Sequence, residues 1–555
     1  MASFYRQQLR GNLVESGALG SGITEKRSSP PSSMATQPYP STNSVRPSRW
    51  SPRFVCQLLT WVALVYGVVL RLGYYSTNRS LWHDEAAVTL NILNRSYGEL
   101  LQQLDYGQAA PPLFLWVQKV ITQVLGPSEY ALRLLPLTAS LVSLGLFYQL
   151  LQRYASPLAR PIAMTLLATV GYILYFAAEV KPYASDLAIA LAIFLFLMPL
   201  CERLFSRRQQ VIFSLLGAAS IWLSYPSIFT LAATAVATAI YTPRSQRWPQ
   251  LKNRLPVYGV WLASFLGLYY GVIQNTLEPG ELEAVFESRF PSSIFDVWWL
   301  IDAFGRLVYR PLGFLGIPEG FAAIACLAGG VWLYRHQRRT LVLLLLPVGV
   351  TLLAGYLQQY PFRDRLILFL APVGYILIAE GIAWPLRQPR WWSKAWGGLL
   401  ILVLLVPAAW QTTTQAFQTD STPLFHAFAI RPAVQHMQAN WQDTDVAFVW
   451  SRGRRPFQYY AQRFDFESDQ QVLSDARLPA AEHVNVDYFA ELLQPFADAP
   501  RLWLFFVLHS ESIPPPDDLL TVLNAYFQSE PLDVLKTDNT LTCLYQPNAA
   551  TPDKP

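Results

Sequence analysis

The chain has 555 residues, of which 52% are hydrophobic and only 14% charged, whereas an ordinary globular protein has about 25% charged residues. Its 18 Trp, 28 Tyr and 31 Phe include many side chains of the kind that favour membrane interfaces. These counts exclude a collagen, a coiled coil and a wholly disordered chain. The net charge of +5 is small, so its distribution along the chain is more informative than its total. The four cysteines, at positions 56, 201, 326 and 543, have no metal-like spacing and imply no disulfide framework.

Long apolar runs predict a polytopic α-helical membrane protein with about eleven transmembrane helices, since a span needs about 20 apolar residues. The paired short runs near 211–241 could also form a single bent span, with Tyr225-Pro226 as the turn between two crossings. The candidate spans are 54–73, 134–152, 160–178, 183–200, 211–224, 226–241, 255–273, 316–334, 340–357, 365–383 and 397–412.

The distribution of charge predicts the orientation of these spans. Residues 1–53 are rich in Ser, Pro and Thr, as expected of a disordered cytoplasmic leader. This leader and five alternate loops contain 22 Lys/Arg and three Asp/Glu, so we assign them to the inside. The other loops contain 10 Lys/Arg and 14 Asp/Glu, and we assign them to the outside. The main outer loops are 74–133 and 274–315, and the acidic loop 274–315 could be a mobile cover over a site.

The same assignment leaves both ends of the apolar run Pro111–Leu125 outside. We therefore predict a helix that lies along the outer membrane surface, or a shallow re-entrant one, and not a crossing. Gln118, Lys119 and Gln123 agree with an amphipathic, interfacial helix.

The transmembrane domain is predicted to cover 54–412, and residues 413–555 should form a small extracytoplasmic α/β domain. The runs Asp445–Trp450, Leu502–Val507 and Leu541–Tyr545 are typical of strands. The segments Pro432–Trp441 and Pro516–Phe527 are typical of helices. This part of the chain contains no nucleotide-phosphate loop.

The first outer loop contains Trp-His-Asp84-Glu85, with two adjacent carboxylates shortly after the first span. Charges near the bilayer are costly unless they have a partner or a function. One interpretation is a general base with an electrostatic helper. The other is an acidic first turn for the surface helix Glu85–Leu93.

Two further outer segments contain candidate residues. The segment Glu179-Val-Lys181-Pro-Tyr183-Ala-Ser-Asp186 joins two spans, and Asp186 either serves the reaction or pairs with Lys181 to hold the turn. In the second segment, Arg363 and Arg365 lie at an outer boundary, where basic residues are disfavoured. Paired N–H donors suit Arg to bind a phosphate, although a snorkelling Arg that pairs with Asp364 is the alternative.

The candidate carboxylates and cations of these three segments are all predicted on one face of the membrane, and this arrangement suggests a reaction. A sugar linked to a lipid phosphate in the outer leaflet has a good leaving group, so cations that stabilise its charge suffice. The acceptor hydroxyl needs a general base, which a carboxylate supplies. We therefore expect a single in-line displacement with inversion.

Trp-x-Asp-Glu in the first outer loop, Pro-Pro-Leu-Phe on the surface helix and Gly126-Pro-Ser-Glu-Tyr-Ala-Leu-Arg133-Leu before the second span resemble the C-type (GT-C) membrane glycosyltransferases. The protein O-mannosyltransferase and lipid A aminoarabinose transferase group is the most similar. The resemblance covers roughly 54–412 in organisation and is specific in 81–136, 175–186 and 360–372.

The resemblance implies a GT-C fold, a polyprenyl-phosphate sugar donor, no nucleotide and a first-loop Asp as catalytic base. It implies catalytic roles for Asp84, Glu85 and Asp186 and substrate-binding roles for Glu179, Lys181, Tyr183, Arg363 and Arg365. The acceptor is a lipid, protein or polysaccharide. Many relatives have His or Lys before the Pro-Leu pair, where this chain has Gln108-Ala-Ala-Pro-Pro, so a phosphate or metal contact at that point is in doubt.

The sequence is also compatible with other classes of protein. A polymerase or ligase of polyprenyl-linked glycans uses the same class of donor, whereas a secondary transporter would place its charges nearer the bilayer midplane. If the chain were a scaffold with an outward sensing domain, there would be no reason for Asp84, Glu85 and Asp186 to lie on the same face of the membrane. We expect no required cofactor, although a divalent metal stays open because His83 lies beside Asp84. We also expect no nucleic-acid partner and a location in a bacterial plasma membrane.

Overall fold

The computed structural model describes residues 51–274, 290–293, 295–418, 429–475, 478, 483–508, 515–537 and 539–547. The predicted leader 1–53 therefore lies outside the described residues except for its last three. Most of the acidic part of loop 274–315 also lies outside them, so the proposed cover remains a prediction.

Among the described residues up to Gln415, all regular secondary structure is helical. Several helices begin at a proline or a capping residue, as α1 does, where the Ser51 hydroxyl accepts from the Phe54 N–H at 3.2 Å. The helices are α1 (Pro52–Ser76), α2 (His83–Asn94), α3 (Pro112–Leu125), α4 (Glu129–Tyr154), α5 (Ala159–Thr169), α6 (Gly171–Tyr175), α7 (Tyr183–Leu197), α8 (Arg207–Leu223), α9 (Ser227–Tyr241), α10 (Arg247–Leu268), α11 (Val297–Tyr309), α12 (Ile317–His336), α13 (Arg338–Tyr356), α14 (Ala371–Leu386), α15 (Trp391–Leu404) and α16 (Val406–Gln415).

Eight described helical segments are long and apolar enough to cross a membrane, and a bent pair formed by Ala159–Thr169 and Gly171–Ala178 would add a ninth. The multi-pass helical architecture is thus confirmed. The predicted turn at Tyr225-Pro226 separates α8 from α9, which have 17 and 15 residues and are shorter than those eight. The number of about eleven spans stays a prediction. The eight segments are Pro52–Ser76, Glu129–Tyr154, Tyr183–Leu200, Arg244–Ile273, Ile317–His336, Arg338–Tyr356, Asp364–Leu386 and Trp391–Gln415.

A fully buried arginine ties the first helices of the bundle together. Arg71 of α1 donates from Nε to the Ser140 hydroxyl of α4 at 2.7 Å and from Nη2 to the Leu167 carbonyl of α5 at 3.1 Å. A buried guanidinium is tolerated only when its N–H groups find acceptors, and here hydroxyl and carbonyl oxygens supply them. Elsewhere in the bundle, α12 and α14 approach so closely that a Cβ on Gly381 would clash with the Ala325 carbonyl oxygen.

Helix α3 is found where a surface helix was predicted, but Gln118 and Lys119 do not face the membrane surface. Gln118 donates to the Leu132 carbonyl at 2.7 Å, and Lys119 donates to the Ile92 carbonyl at the end of α2 at 2.8 Å. Both side chains are buried, whereas the apolar Val124 is 74% exposed. Gln118 and Lys119 therefore face into the protein, which corrects the reason given for an interfacial position at these two residues. Gln123 is exposed, as predicted, and accepts from the Tyr97 hydroxyl at 2.7 Å.

The C-terminal region forms a mixed sheet covered by helices, which confirms the predicted α/β domain in kind. The strand order is β2-β1-β3-β5-β4, with β2 and β3 parallel to β1 and with β5 antiparallel to both β3 and β4. The strands are β1 (Asp445–Val449), β2 (Gln471–Leu473), β3 (Arg501–Val507), β4 (Asp533–Lys536) and β5 (Thr540–Tyr545). The helices are α17 (Ile430–Ala439), α18 (Ser451–Arg463), α19 (Val486–Leu493) and α20 (Pro516–Phe527).

The two faces of the central strand β3 enter different hydrophobic cores. Leu504 and Phe506 pack with residues of α19 and α20. Trp503 and Phe505 belong to a cluster that also contains Leu81 and Val88 of the first outer loop. A strand buried on both faces is apolar throughout, as the run Leu-Trp-Leu-Phe-Phe-Val is. The C-terminal domain therefore shares its core with the segment 74–133, which contains Asp84.

Candidate active site

The two adjacent carboxylates, Asp84 and Glu85, lie in the first turn of α2. The Trp82 N–H donates to the Glu85 carboxylate at 3.5 Å, which caps the helix. Successive helical residues project about 100° apart, so Asp84 and Glu85 cannot face the same partner. The structure shows this difference, because Glu85 is buried and Asp84 is partly exposed.

Glu85 is bound by Arg133 of α4. Arg133 Nε donates to Oε1 at 3.0 Å and Nη2 to Oε2 at 2.6 Å, and the Val180 N–H also donates to Oε1 at 2.9 Å. Both side chains of the ion pair are at most 5% exposed. Arg133 also donates to the Arg79 carbonyl at 2.5 Å, so the pair fixes the loop that leads to α2. The geometry favours a positioning role for Glu85 over the predicted catalytic one.

Asp84 faces a group of cations instead. Arg365 Nη1 donates to its Oδ2 at 3.0 Å, and among the described residues no hydrogen bond to Oδ1 is found. Burial acts to raise the pKa of Asp84, but the charges of Lys181 and Arg365 and the hydrogen bond from Arg365 outweigh it, so the pKa lies below its ordinary value. The carboxylate is therefore ionised at neutral pH, as a general base must be.

Lys181 is buried between the spans and donates from Nζ to the Gln108 side-chain oxygen at 2.7 Å. Its burial lowers the pKa to about 8, although Asp84 acts in the opposite direction. Gln108 occupies the region where many relatives of the resembled family have His or Lys. In this chain a neutral amide holds the lysine in place.

Glu179 lies beside these groups and is also buried. Its Oε1 accepts from the Trp82 indole N–H at 3.0 Å, whereas its buried Oε2 has no hydrogen-bond partner among the described residues. Burial, with the neighbouring Glu85 in the same direction, raises the pKa of Glu179 to about 8. At neutral pH the side chain is largely a neutral acid.

Tyr183 and Asp186 begin α7. The Arg365 guanidinium carbon lies 5.6 Å from the centre of the Tyr183 ring, a cation–π distance. Asp186 lies one turn further into the helix, is buried, and has one oxygen without a hydrogen-bond partner in the described part of the chain. The structure shows no ion pair between Asp186 and Lys181, the alternative left open by the sequence.

Arg363 and Arg365, predicted to act together, have different surroundings. Arg363 Nε donates to its neighbour Asp364 at 3.0 Å, and both side chains are partly exposed. Asp364 has a φ of +49°, a conformation that Asp tolerates better than most residues. Of the two arginines, only Arg365 contacts Asp84 among the described residues.

Sequence reasoning missed the contribution of the C-terminal domain. Arg455 of α18 donates to the His83 Nε2 at 2.7 Å, and its guanidinium lies 5.0 Å from the centre of the Tyr106 ring. Tyr106 in turn donates to the Gln458 side-chain oxygen at 3.1 Å. A signal was present, because Arg452, Arg454 and Arg455 form a dense basic run in an otherwise acidic tail.

A second missed contact attaches this domain to the bundle. The fully buried Glu129 at the start of α4 accepts from Tyr460 at 2.9 Å and from Arg431 at 3.0 Å, and it also pairs with Arg463. These three partners come from α17 and α18. Over the described residues, no group of three His, Cys, Asp or Glu side chains is arranged to hold a metal ion.

Part of the chain matches a known protein family. Residues 109–269 match the family model described as dolichyl-phosphate-mannose-protein mannosyltransferase. This match covers less than a third of the chain and includes Lys181 and Asp186, but it does not extend to Asp84 or Arg365. It confirms the resemblance to the protein O-mannosyltransferase group over that segment. Comparison with curated proteins gave no match.

Solved structures of GT-C glycosyltransferases resemble the chain at low identity. ArnT from Cupriavidus metallidurans in the apo state is 13% identical, with 89% of this chain and 99% of that chain covered and a TM-score of 0.48. The same protein bound to undecaprenyl phosphate is 13% identical, with 91% and 100% covered and a TM-score of 0.47. Oligosaccharyltransferase AglB from Archaeoglobus fulgidus, with an inhibitory peptide and a dolichol-phosphate, is 12% identical, with 82% and 70% covered and a TM-score of 0.45.

Proposed function

We propose that this chain is an integral-membrane glycosyltransferase that moves a sugar from a polyprenyl-phosphate donor to an acceptor hydroxyl on the outer side of a bacterial plasma membrane. The observation that carries the proposal is the convergence of an ionised carboxylate, Asp84, with Lys181 and Arg365 from two other segments of the chain. A base beside cations is what displacement of a sugar from a phosphate requires. The family match over 109–269 supports the donor class.

The reaction follows from these groups. The acceptor hydroxyl oxygen attacks the anomeric carbon of the donor sugar, and its proton passes to the Asp84 carboxylate. The bond between the anomeric carbon and the phosphate oxygen breaks, and the polyprenyl phosphate leaves with an additional negative charge. Lys181 and Arg365 stabilise that charge. A single displacement of this kind inverts the configuration at the anomeric carbon.

Because Arg365 pairs with Asp84, binding of the donor phosphate also changes the basicity of Asp84. Arg365 is 40% exposed, so an incoming phosphate can compete with Asp84 for its N–H donors. Loss of the arginine contact removes one of the causes that lower the pKa of Asp84. The carboxylate becomes a stronger base when the donor is bound.

Two buried acids complete the proposed donor site. The unpartnered oxygens of Glu179 and Asp186 suit hydroxyl groups of the donor sugar, because a buried polar atom without a hydrogen-bond partner is costly. Tyr183 holds Arg365 in position through the cation–π contact. Arg363, which is partly exposed, adds positive charge next to Arg365. We further propose that no metal is required, since the cations around Asp84 supply the positive charge that a metal would.

The test is transfer of labelled sugar in membranes, with a panel of hexosyl and pentosyl donors linked to undecaprenyl or dolichyl phosphate. We expect Asp84→Asn to lose about 10²- to 10⁴-fold in transfer, the contribution of a general base. Asp105→Asn is the matched control, since Asp105 lies in the same outer loop and pairs with Arg95 at an exposed position. A chelator should leave transfer unchanged, and the product should have the inverted anomer.

The outcomes are separable. Full transfer by Asp84→Asn would remove Asp84 as the base, and a retained anomer would exclude the single displacement. Active uptake of a solute, without transfer from any of these donors, would favour a transporter instead.

A further inference from the structure

The C-terminal domain brings Arg455 to the start of α2. Its position depends on α18, which packs along α2 through contacts at both ends. At one end Arg455 donates to His83, and at the other Gln462 donates to the Asn94 side-chain oxygen at 2.8 Å. Arg455 is thus held by a helix–helix contact and not by a loose surface loop.

His83 is in a neutral form that can hold this arginine. Because Arg455 donates to Nε2 at 2.7 Å, that nitrogen must be the acceptor, and Nδ1 carries the proton that faces the Arg452 carbonyl at 3.3 Å. Burial and the charge of Arg455 lower the pKa of His83, which agrees with this tautomer. A neutral imidazole fixes the guanidinium without neutralising it.

The charges around Asp84 do not balance. Lys181, Arg365 and Arg455 each interact electrostatically with Asp84, and over the described residues neither Lys181 nor Arg455 has a salt-bridge partner. Glu85 is neutralised by Arg133, and Glu179 is largely protonated. Three cations around one carboxylate leave positive charge for an anion to occupy.

We propose that Arg455 of the C-terminal domain is a third cation of the phosphate-binding site, so that this domain completes the active site. The proposal rests on the proposed function and deepens it. The donor is a phosphodiester with one negative charge, whereas the departing polyprenyl phosphate carries up to two. A site with an excess of positive charge therefore complements the departing group better than the donor. Arg455 should stabilise the transition state and the lipid product more than it stabilises the bound donor.

The experiment measures binding of undecaprenyl phosphate, and of undecaprenol as the uncharged probe, to the full-length protein purified in detergent. The variants are Arg455→Gln, Arg455→Lys and Arg454→Gln. Arg454 is the matched control, because it is the adjacent arginine on α18 and pairs with the exposed Asp475. Thermal unfolding of each variant shows whether the fold is kept.

We expect Arg455→Gln to bind undecaprenyl phosphate about 10- to 100-fold more weakly, the effect of one lost charge-assisted hydrogen bond, with undecaprenol binding unchanged. Arg455→Lys should recover part of the loss, and Arg454→Gln should match the wild type. In transfer assays Arg455→Gln should lower kcat more than it raises KM.

Equal phosphate binding by Arg455→Gln and Arg454→Gln would overturn the inference while leaving the proposed function intact. Wild-type protein that binds undecaprenol as tightly as undecaprenyl phosphate would instead contradict the donor class. Equal losses for both probes in Arg455→Gln would assign the residue a structural role and also overturn the inference.

Discussion

Arg133 binds Glu85 through two parallel hydrogen bonds, with Nε 3.0 Å from Oε1 and Nη2 2.6 Å from Oε2. The pair connects α4 to the first turn of α2 at a buried position. It therefore fixes the direction of the helix that presents Asp84. One of the two adjacent acids thus supports the site, and the other faces it.

We predict that Glu85→Gln lowers the free energy of unfolding by about 3–5 kcal/mol, because it leaves the buried Arg133 charge without its partner. Thermal unfolding of the detergent-solubilised protein measures the effect. Asp302→Asn is the control, since Asp302 pairs with Arg306 at an exposed position, and its loss should cost less than about 1 kcal/mol. Equal melting temperatures for the two variants would contradict the structural role of the pair.

From the lowered pKa of Lys181 we predict a loss of phosphate binding in mild alkali. Its pKa is lowered to about 8, so the ammonium group is charged below that pH and neutral above it. Binding of undecaprenyl phosphate should fall as the pH rises through about 8, and ionisation of Glu179 in the same range acts in the same direction. Lys181→Arg should move the fall to higher pH, because a guanidinium stays charged. If the pH dependence of undecaprenyl phosphate binding is unchanged in Lys181→Arg and absent in Glu179→Gln, the titrating group is Glu179 alone.

The two arginines of the segment 360–372 should differ in their importance. Arg365 contacts Asp84 and stacks on Tyr183, whereas Arg363 pairs with its neighbour Asp364. We predict that Arg365→Gln lowers transfer at least tenfold more than Arg363→Gln does, measured as kcat/KM for the donor. Because the two positions are two residues apart, each variant controls for general disturbance of the segment. The reverse order would place the phosphate next to Arg363.

Glu129 is predicted to hold the C-terminal domain on the bundle. In Glu129→Gln, Arg431 and Arg463 lose their shared carboxylate, so the domain should detach more readily. Limited proteolysis of the solubilised protein should release the domain several-fold faster than in the wild type. Glu491→Gln, a substitution at an exposed position of α19, should leave the cleavage rate unchanged. Equal rates for the two variants would show that the shared hydrophobic core suffices.

Much of the fold follows from local patterns. Apolar run length predicts the positions of the membrane helices, and the strands at 445–450, 502–507 and 541–545 agree with β1, β3 and β5 within one residue at each end. Helix α18 was missed because its sequence Ser-Arg-Gly-Arg-Arg-Pro contains residues that are poor helix formers or highly charged. Its stability comes from packing against α2 and the sheet, which no local pattern records.

The sequence by itself determined that the chain is a multi-pass helical membrane protein and that Asp84, Lys181 and Arg365 are candidates for one site. Span length and loop charge are local properties, so they can be read along the chain. Only the tertiary structure decided that Glu85 is bound to Arg133 while Asp84 faces the cations, since adjacent helical residues project in different directions. It also decided that Arg455 reaches His83 across 372 residues of sequence, because contacts between distant segments arise from packing and not from spacing.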